Sequence, residues 1–504
     1  MRASLTDRVR SGVALSAASA VLTQAVGLAR SVVLARLLAP DDYGLFGMAL
    51  TVSGALTVLT SFGLDFSLVA RKFSGEGELE KHLDTVWTAE LLRKLLLALL
   101  VLAAAYPTAR FYGSAELLPV MLALAAAPLI QGFHNIGLVM QQKRVDFRRV
   151  VWLEQLTNLS STLAAVGIAL FWSRDVWALV LGQIASAVAG VALSYALDPY
   201  RPRPRLDRRA LREALGFGKH VFVVGVAAYV TTTADNVVVG KSLGAAALGL
   251  YVLAYNLATI PVGVAARVGG TLIPAYVEAG AQERGGQQAG GQQVGERVER
   301  GFARAFAAAA ALLAVVSALL LLLADEVVLL LYGAKWSGAA PALRVLSVVC
   351  FCRGLMQVAA PLVLSARGPA PEARAKVFES LFFLAILYPL TRAYGLVGAA
   401  SAGALVYVPT LFVRLRLVRL VSRRAHAEAV GALVRSLAAG AVGTALGALA
   451  LRLFDAPLPR TAAGASAATA ATLLLLLATQ PALRAEAADF AGWLLRPREP
   501  RRAP

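Results

Sequence analysis

Apolar runs close to 20 residues long recur along the whole chain. A run of that length spans a hydrocarbon core of about 30 Å as a helix. In lipid the backbone must satisfy its own hydrogen bonds, which leaves only helices and closed barrels. A barrel would show short segments alternating in polarity, and the sequence has none. The chain therefore reads as all-α and polytopic. Composition agrees. Of 504 residues, 58% are hydrophobic and 16% charged, against roughly 25% charged in a soluble domain.

Fourteen spans are expected, near 12–37, 43–69, 83–107, 116–140, 151–172, 175–197, 217–241, 247–274, 302–331, 339–365, 376–391, 395–418, 427–453 and 461–480. The first is too long for a signal-peptide core and is taken as an uncleaved helix. The net charge of +19 does not point to nucleic acid, because the basic residues sit between apolar runs. They also alternate in side. Arg71, Lys72 and Lys81, then Lys143, Arg144, Arg148 and Arg149, then Arg201 to Arg212, Arg284 to Arg300, Arg367 to Lys376 and Arg414 to Arg424 share one face with both termini. The opposite connections carry one or two cations each: Arg36, Arg110, Arg174, Lys241, Lys335, Arg392, then Arg452 and Arg460. The positive-inside rule puts both termini in the cytoplasm. The expected location is the cell inner (plasma) membrane.

An internal repeat is visible. Val32 to Ala49 aligns with Val237 to Ala254 at an offset of 205, pairing Arg36 with Lys241 and Gly44 with Gly249. Phe111-Tyr112-Gly113 recurs as Leu331-Tyr332-Gly333 at an offset of 220. Six helices separate the copies, so both point the same way, a parallel-repeat arrangement. The expected division is an N-lobe of helices 1–6 (1–200), a C-lobe of helices 7–12 (201–425), two additional helices (426–485) and a basic cytoplasmic tail (486–504).

Several residues carry the resemblance to a family. They are Leu34 to Gly44 (LARLLAPDDYG), Val145 to Arg149 (VDFRR), Asp175 to Val180 (DVWALV), and Val239 to Gly244 running into Ala247 to Tyr251. These resemble bacterial oligosaccharide and polysaccharide flippases of the multidrug/oligosaccharidyl-lipid/polysaccharide exporter superfamily, closest to the colanic-acid and teichuronic-acid exporter branch. The resemblance implies two six-helix lobes around a central cavity. It also implies flipping of undecaprenyl-pyrophosphate-linked oligosaccharide for exopolysaccharide, O-antigen or capsule biosynthesis. The partners so implied are that glycolipid, membrane lipid, and the polysaccharide polymerase and chain-length machinery. An exporter of peptidoglycan precursor or drugs is the alternative from the same superfamily. A membrane polymerase or glycosyltransferase is the alternative from another class.

A charge at a helix centre costs about 2.5–3.5 kcal/mol on insertion scales, so intramembrane polar groups are the first site candidates. Span 1 carries Ser16, Thr23, Gly27 and Arg30 on one face, and span 8 carries Asn256, Thr259, Gly263 and Arg267. Span 10 carries Arg344 near its outer end, Arg353 near its middle and Gln357 one turn on. Arg353, Arg267, Arg30, Arg344, Asn256 and Gln357 are the expected substrate contacts. Arg353 and Arg267 are assigned to the pyrophosphate, because the guanidinium fork matches phosphate oxygens. Asp235 and Asp65 are the candidates for ion coupling or gating. Arg30 and Asp235 are equivalent at the 205 offset and are expected to approach each other. Arg36, Lys241, Arg93 and Lys94 read as interfacial residues that snorkel, and Glu90 as the i,i+4 partner of Lys94. The sequence shows no catalytic constellation, no phosphate-binding Gly-Lys-Ser/Thr loop and no metal-ligand spacing among four histidines and two cysteines. Neither an enzyme activity nor a cofactor is expected.

Overall fold

The computed structural model describes residues 22–61, 76–143, 148–284, 296–367, 370–453, 457–480 and 484. Every regular element among them is helical. Helix α1 covers 22–37. Next come α2 (Pro40–Thr60), α3 (Glu76–Tyr112), α4 (Leu117–Leu124), α5 (Ala126–Gln131), α6 (Leu138–Lys143), α7 (Arg148–Phe171) and α8 (Val176–Leu197). Then follow α9 (Arg208–Leu243), α10 (Ala245–Arg284), α11 (Glu296–Leu322), α12 (Ala324–Tyr332), a 3-10 turn (Ala334–Ala339) and α13 (Ala340–Arg367). The last are α14 (Ala370–Val421), α15 (Arg423–Leu451) and α16 (Pro457–Thr479). Each expected span has a helical counterpart. Eight of the described helices are long and apolar enough to cross a membrane, so the protein is a multi-pass membrane protein.

Three spans differ from expectation, the ninth being divided at Leu323 into α11 and α12. The fourth is broken into α4, α5 and α6 rather than continuous. Asn135 occupies the second break and satisfies the interrupted backbone. Its side chain accepts from Gly137 N–H at 2.9 Å and donates to the Tyr200 carbonyl at 2.8 Å. The eleventh, the shortest expected, extends back to Ala370. Its chain meets the twelfth at Gly395, whose φ of 59° and ψ of −138° only glycine tolerates readily. Beyond it, Gly398 packs on the Leu390 carbonyl, 1.9 Å from where a Cβ would stand.

Local sequence explains the helix starts. Pro40 opens α2, where a missing N–H costs nothing. Asp42 reaches back to the Ala39 N–H at 2.8 Å. Asp175 caps α8 through Trp177 N–H at 2.9 Å, and Ser422 caps α15 through Ala425 N–H at 3.0 Å. The motif at Val145 to Phe147 lies outside the described residues.

The chain groups into two compact units. Unit 1 comprises 1–257, 328–342 and 376–402, and unit 2 comprises 258–327, 343–375 and 403–504. In unit 2, Phe302, Phe306, Leu313, Leu355, Leu362, Leu411 and Leu415 form the core. Helices α15 and α16 touch through glycines, with Gly447 set 2.9 Å (as a notional Cβ) from the Gly464 carbonyl. Without a hydrophobic force between helices in lipid, small residues gain packing by letting backbones approach.

In unit 1, a basic segment after α8 is strapped onto α3. Arg203, Arg205 and Asp207 N–H groups donate to Asp84, Thr88 and Thr85 side chains at 3.0, 2.9 and 3.2 Å. The Tyr200 hydroxyl donates to the Asp84 carboxylate. Burial, then that hydrogen bond, pushes the Tyr200 hydroxyl pKa up, so the phenol stays protonated as a donor. Tyr200→Phe leaves buried Asp84 short of a partner and is expected to weaken the strap by about 1.5–3 kcal/mol. The check is faster amide exchange across 198–207.

Also in unit 1, four connections assigned above to one face come together. Arg36 in the last turn of α1 bonds the end of α12, and Lys241 in the last turn of α9 bonds the end of α3. Gly44 of α2 abuts Ala245 of α10.

Candidate functional site

Unit 2 holds the intramembrane arginines of α13. Arg353 is half-buried, and its guanidinium carbon stands 5.3 Å from the centroid of the Tyr407 ring on α14. Tyr407 is itself buried, at 5% exposure. A cation over an aromatic face is attracted by about 0.5–2 kcal/mol, most when desolvated. The ring thus helps orient the guanidinium within unit 2.

Gln357 lies one turn along α13 and is exposed. Its backbone marks the crossing with α10, because a Cβ at Gly269 would fall 2.3 Å from the Gln357 carbonyl oxygen. Arg267, also exposed, is two residues from that crossing. The fold therefore gathers Arg353, Gln357 and the Arg267 backbone at one helix crossing, from two spans distant in sequence. On the other side Gly354 fits against Leu313 of α11.

Arg344 stands apart. Nine residues of α-helix separate it from Arg353 by about 13 Å. It pairs with Asp325 of α12 at the end of α13. Its charge is met by a protein carboxylate on a partly exposed surface.

The remaining candidates lie in unit 1. Arg30 of α1 donates to Ser161 of α7 at 2.9 Å, and Gln155 of α7 donates to Thr23 of α1 at 2.7 Å. These bonds form a polar seam between the two helices. Asp235 of α9 is buried at 5% exposure and accepts from the Tyr251 hydroxyl of α10 at 2.9 Å. Arg30 and Asp235 thus bond to Ser161 and Tyr251 respectively. Asn256 of α10 is exposed. Asp65 lies outside the described residues.

One expected pairing and one expected role change. Glu90 pairs with Arg93, not Lys94, through bonds of 2.6 to 3.0 Å. The fork takes both carboxylate oxygens at once, and Lys94 instead donates to Gln131 at 2.9 Å. Arg36 and Lys241 do more than snorkel, since each donates to main-chain carbonyls at a helix end. Tyr407 and Tyr251 were missed as site residues, because nothing local distinguishes them from aromatic residues of an ordinary apolar run.

An apolar cavity of about 210 Å³ lies among α11, α13 and α15, lined by Ala314, Ser317, Leu321, Val348, Phe351 and Gly440. Its lining suits hydrocarbon rather than a charged headgroup. Among the described residues no group of His, Cys, Asp or Glu is arranged to hold a metal ion.

The family described as "Polysaccharide biosynthesis protein" matches residues 33–341. The lipopolysaccharide biosynthesis protein WzxC of Escherichia coli is 22% identical over 80% of this chain and 77% of its own length. The teichuronic acid biosynthesis protein TuaB of Bacillus subtilis is 24% identical over 73% and 72%. Among solved structures, the lipid II flippase MurJ in an inward closed conformation superposes with a TM-score of 0.72 at 13% identity. That match covers 96% of this chain and all of MurJ. An inward-facing multidrug transporter of the MATE family gives 0.59 at 17% identity, covering 79% of this chain and 95% of its own. At these identities the structural likeness fixes the fold alone.

Proposed function

This chain belongs to the polysaccharide biosynthesis protein family, and from that membership we propose that it flips a lipid-linked oligosaccharide across the cytoplasmic membrane. The family match over residues 33–341 carries the reading. The carrier is undecaprenyl pyrophosphate, the termini are cytoplasmic, and the cycle is alternating access of two six-helix lobes (1–200 and 201–425). A trailing helix pair (426–485) and a basic tail (486–504) follow the lobes. The protein is a transporter rather than an enzyme, working beside the polymerase and chain-length machinery that consume its product.

A flippase must hide an anionic headgroup from hydrocarbon while the tail stays in it. Half-buried Arg353, oriented by Tyr407 and flanked by Gln357, is suited to that task. A guanidinium gives a diphosphate two parallel charge-assisted bonds that an ammonium does not match. Arg267 adds a second cation close to the same crossing. The buried Asp235–Tyr251 pair is one candidate for ion coupling and Asp65 is the other.

Arg353→Ala is expected to lower transport of undecaprenyl-pyrophosphate oligosaccharide by about 10- to 100-fold, the worth of one charged hydrogen-bond pair. Arg353→Lys keeps the charge but loses the fork, and should recover only part. The measurement is flipping in proteoliposomes at matched insertion. Full transport by Arg353→Ala removes Arg353 from the headgroup site. Transport of lipid II in preference to the oligosaccharide carrier replaces the substrate.

A further inference from the structure

The repeat read from the sequence reappears in the structure as a reciprocal exchange of helix caps. Arg36, in the last turn of α1, donates from Nε to the Leu331 carbonyl at 3.0 Å and from Nη2 to the Leu330 carbonyl at 2.5 Å. Its repeat equivalent Lys241, at the end of α9, donates to the Phe111 carbonyl and lies 5.0 Å from the centre of that ring. Phe111 and Leu331 are themselves equivalents at the 220 offset. Each cation therefore crosses to the other repeat and takes the same acceptor there.

Those acceptors exist for a physical reason. The last carbonyls of a helix have no partner within the helix, and the C-terminal end carries partial negative charge. Helix α3 ends at Gly113 and α12 at Gly333, with φ of 74° and 96°. The left-handed turn at these two glycines carries the chain away and leaves the preceding carbonyls presented outward. Around this pair the contact is dense. Lys335 donates to the Arg36 and Leu38 carbonyls at 3.0 and 2.5 Å, and fully buried Trp336 donates to the Ala35 carbonyl at 2.7 Å. The crossing of α2 and α10 is reciprocal as well. A Cβ at Gly44 would stand 1.8 Å from the Ala245 oxygen, and one at Gly249 would stand 1.9 Å from the Pro40 oxygen. Pro40 and Ala245 are again equivalents at the 205 offset.

We propose that Arg36 and Lys241 form a two-fold latch that holds the outer ends of the two repeats together, and that releasing it is a step of the transport cycle. The inference rests on the transport reading, which makes this the outer end. Because both halves bridge the same two repeats, separating the repeats breaks both at once, which makes opening cooperative. The acceptors are neutral carbonyls at exposed positions rather than buried carboxylates. Water replaces them readily once the ends part, so the latch closes without trapping the protein.

Arg36 and Lys241 are positioning residues in this scheme. The test places spin labels at Glu116→Cys and Ser337→Cys, both exposed in outer connections. The protein is held in lipid nanodiscs without substrate, and the label-to-label distance is read by double electron–electron resonance. Cys350 and Cys352 are buried and stay in place. The parent should give one short separation. Arg36→Gln with Lys241→Gln should raise the share of a longer separation by about tenfold or more. Arg36→Lys with Lys241→Arg keeps a donor at each carbonyl and should keep the parent distribution. An unchanged distribution in the glutamine pair overturns the latch. If that pair fails to fold, Lys241→Gln alone is read the same way, with a smaller shift expected and no shift overturning the proposal. A parallel flipping assay separates the two readings. Lost flipping of the oligosaccharide carrier by the parent, with the distance shift present, removes the substrate and leaves the latch.

Discussion

Gly44→Ala and Gly249→Ala should each destabilise the protein by about 3 kcal/mol, at the upper end of the range for overpacking a tight contact. A methyl would sit 1.8 Å from the Ala245 carbonyl oxygen in the first case and 1.9 Å from that of Pro40 in the second. Ordinary contact needs about 3.5 Å. The obstacle is backbone, so no rotamer change relieves it, and the starts of α2 and α10 must move apart. One movement relieves both clashes, so the double variant should cost less than the sum of the singles. Gly167→Ala in α7 is the control. Nothing lies within 4 Å of its added Cβ, and alanine should gain about 0.5–1 kcal/mol in the helix. Thermal unfolding in detergent, followed by intrinsic fluorescence, distinguishes the sites. An unchanged midpoint in Gly44→Ala would contradict the close crossing.

Arg414→Ala is expected to cost about 3–5 kcal/mol. Arg414 and Glu372 form an ion pair in unit 2, with side chains only 8% and 16% exposed. The pair joins the two arms of α14 near the ends farthest from Gly395. Removing the arginine strands a carboxylate in low dielectric, and that desolvation is the larger part of the loss. Arg414→Met with Glu372→Leu removes both charges, and stability should return toward the parent. The same unfolding measurement decides this. A double variant as unstable as Arg414→Ala would show that side-chain packing, not the stranded charge, sets the cost.

The sequence made much of this legible, and the residues show why. Span positions follow from apolar length alone, because lipid forces each run to close its own hydrogen bonds. The merger of the eleventh and twelfth spans across Gly395 was readable as a short break, since both arms are apolar. The break in the fourth span was missed although Gly132-Phe133-His134-Asn135-Ile136-Gly137 carries two glycines and two polar residues, because the apolar length around it outweighed them. It depends on Asn135 finding the carbonyl of Tyr200, far along the chain. Arg353 was legible as a charge out of place. Its orienting ring was not, since Tyr407 lies on a different span.

The repeat divides the two kinds of knowledge most clearly. The 205 and 220 offsets were present in the sequence, and so was the equivalence of Arg36 with Lys241. Read locally, both cations sit at a membrane boundary and need no partner. Only the tertiary structure sends each to a helix end of the other repeat. The cation's long, flexible side chain fixes no partner by itself, whereas packing of the helix ends decides which unsatisfied carbonyls come within reach. The sequence by itself determined the positions of the helices and displayed the recurring motifs at the two offsets. The fold decided which charges meet, because that depends on where distant backbones are brought together.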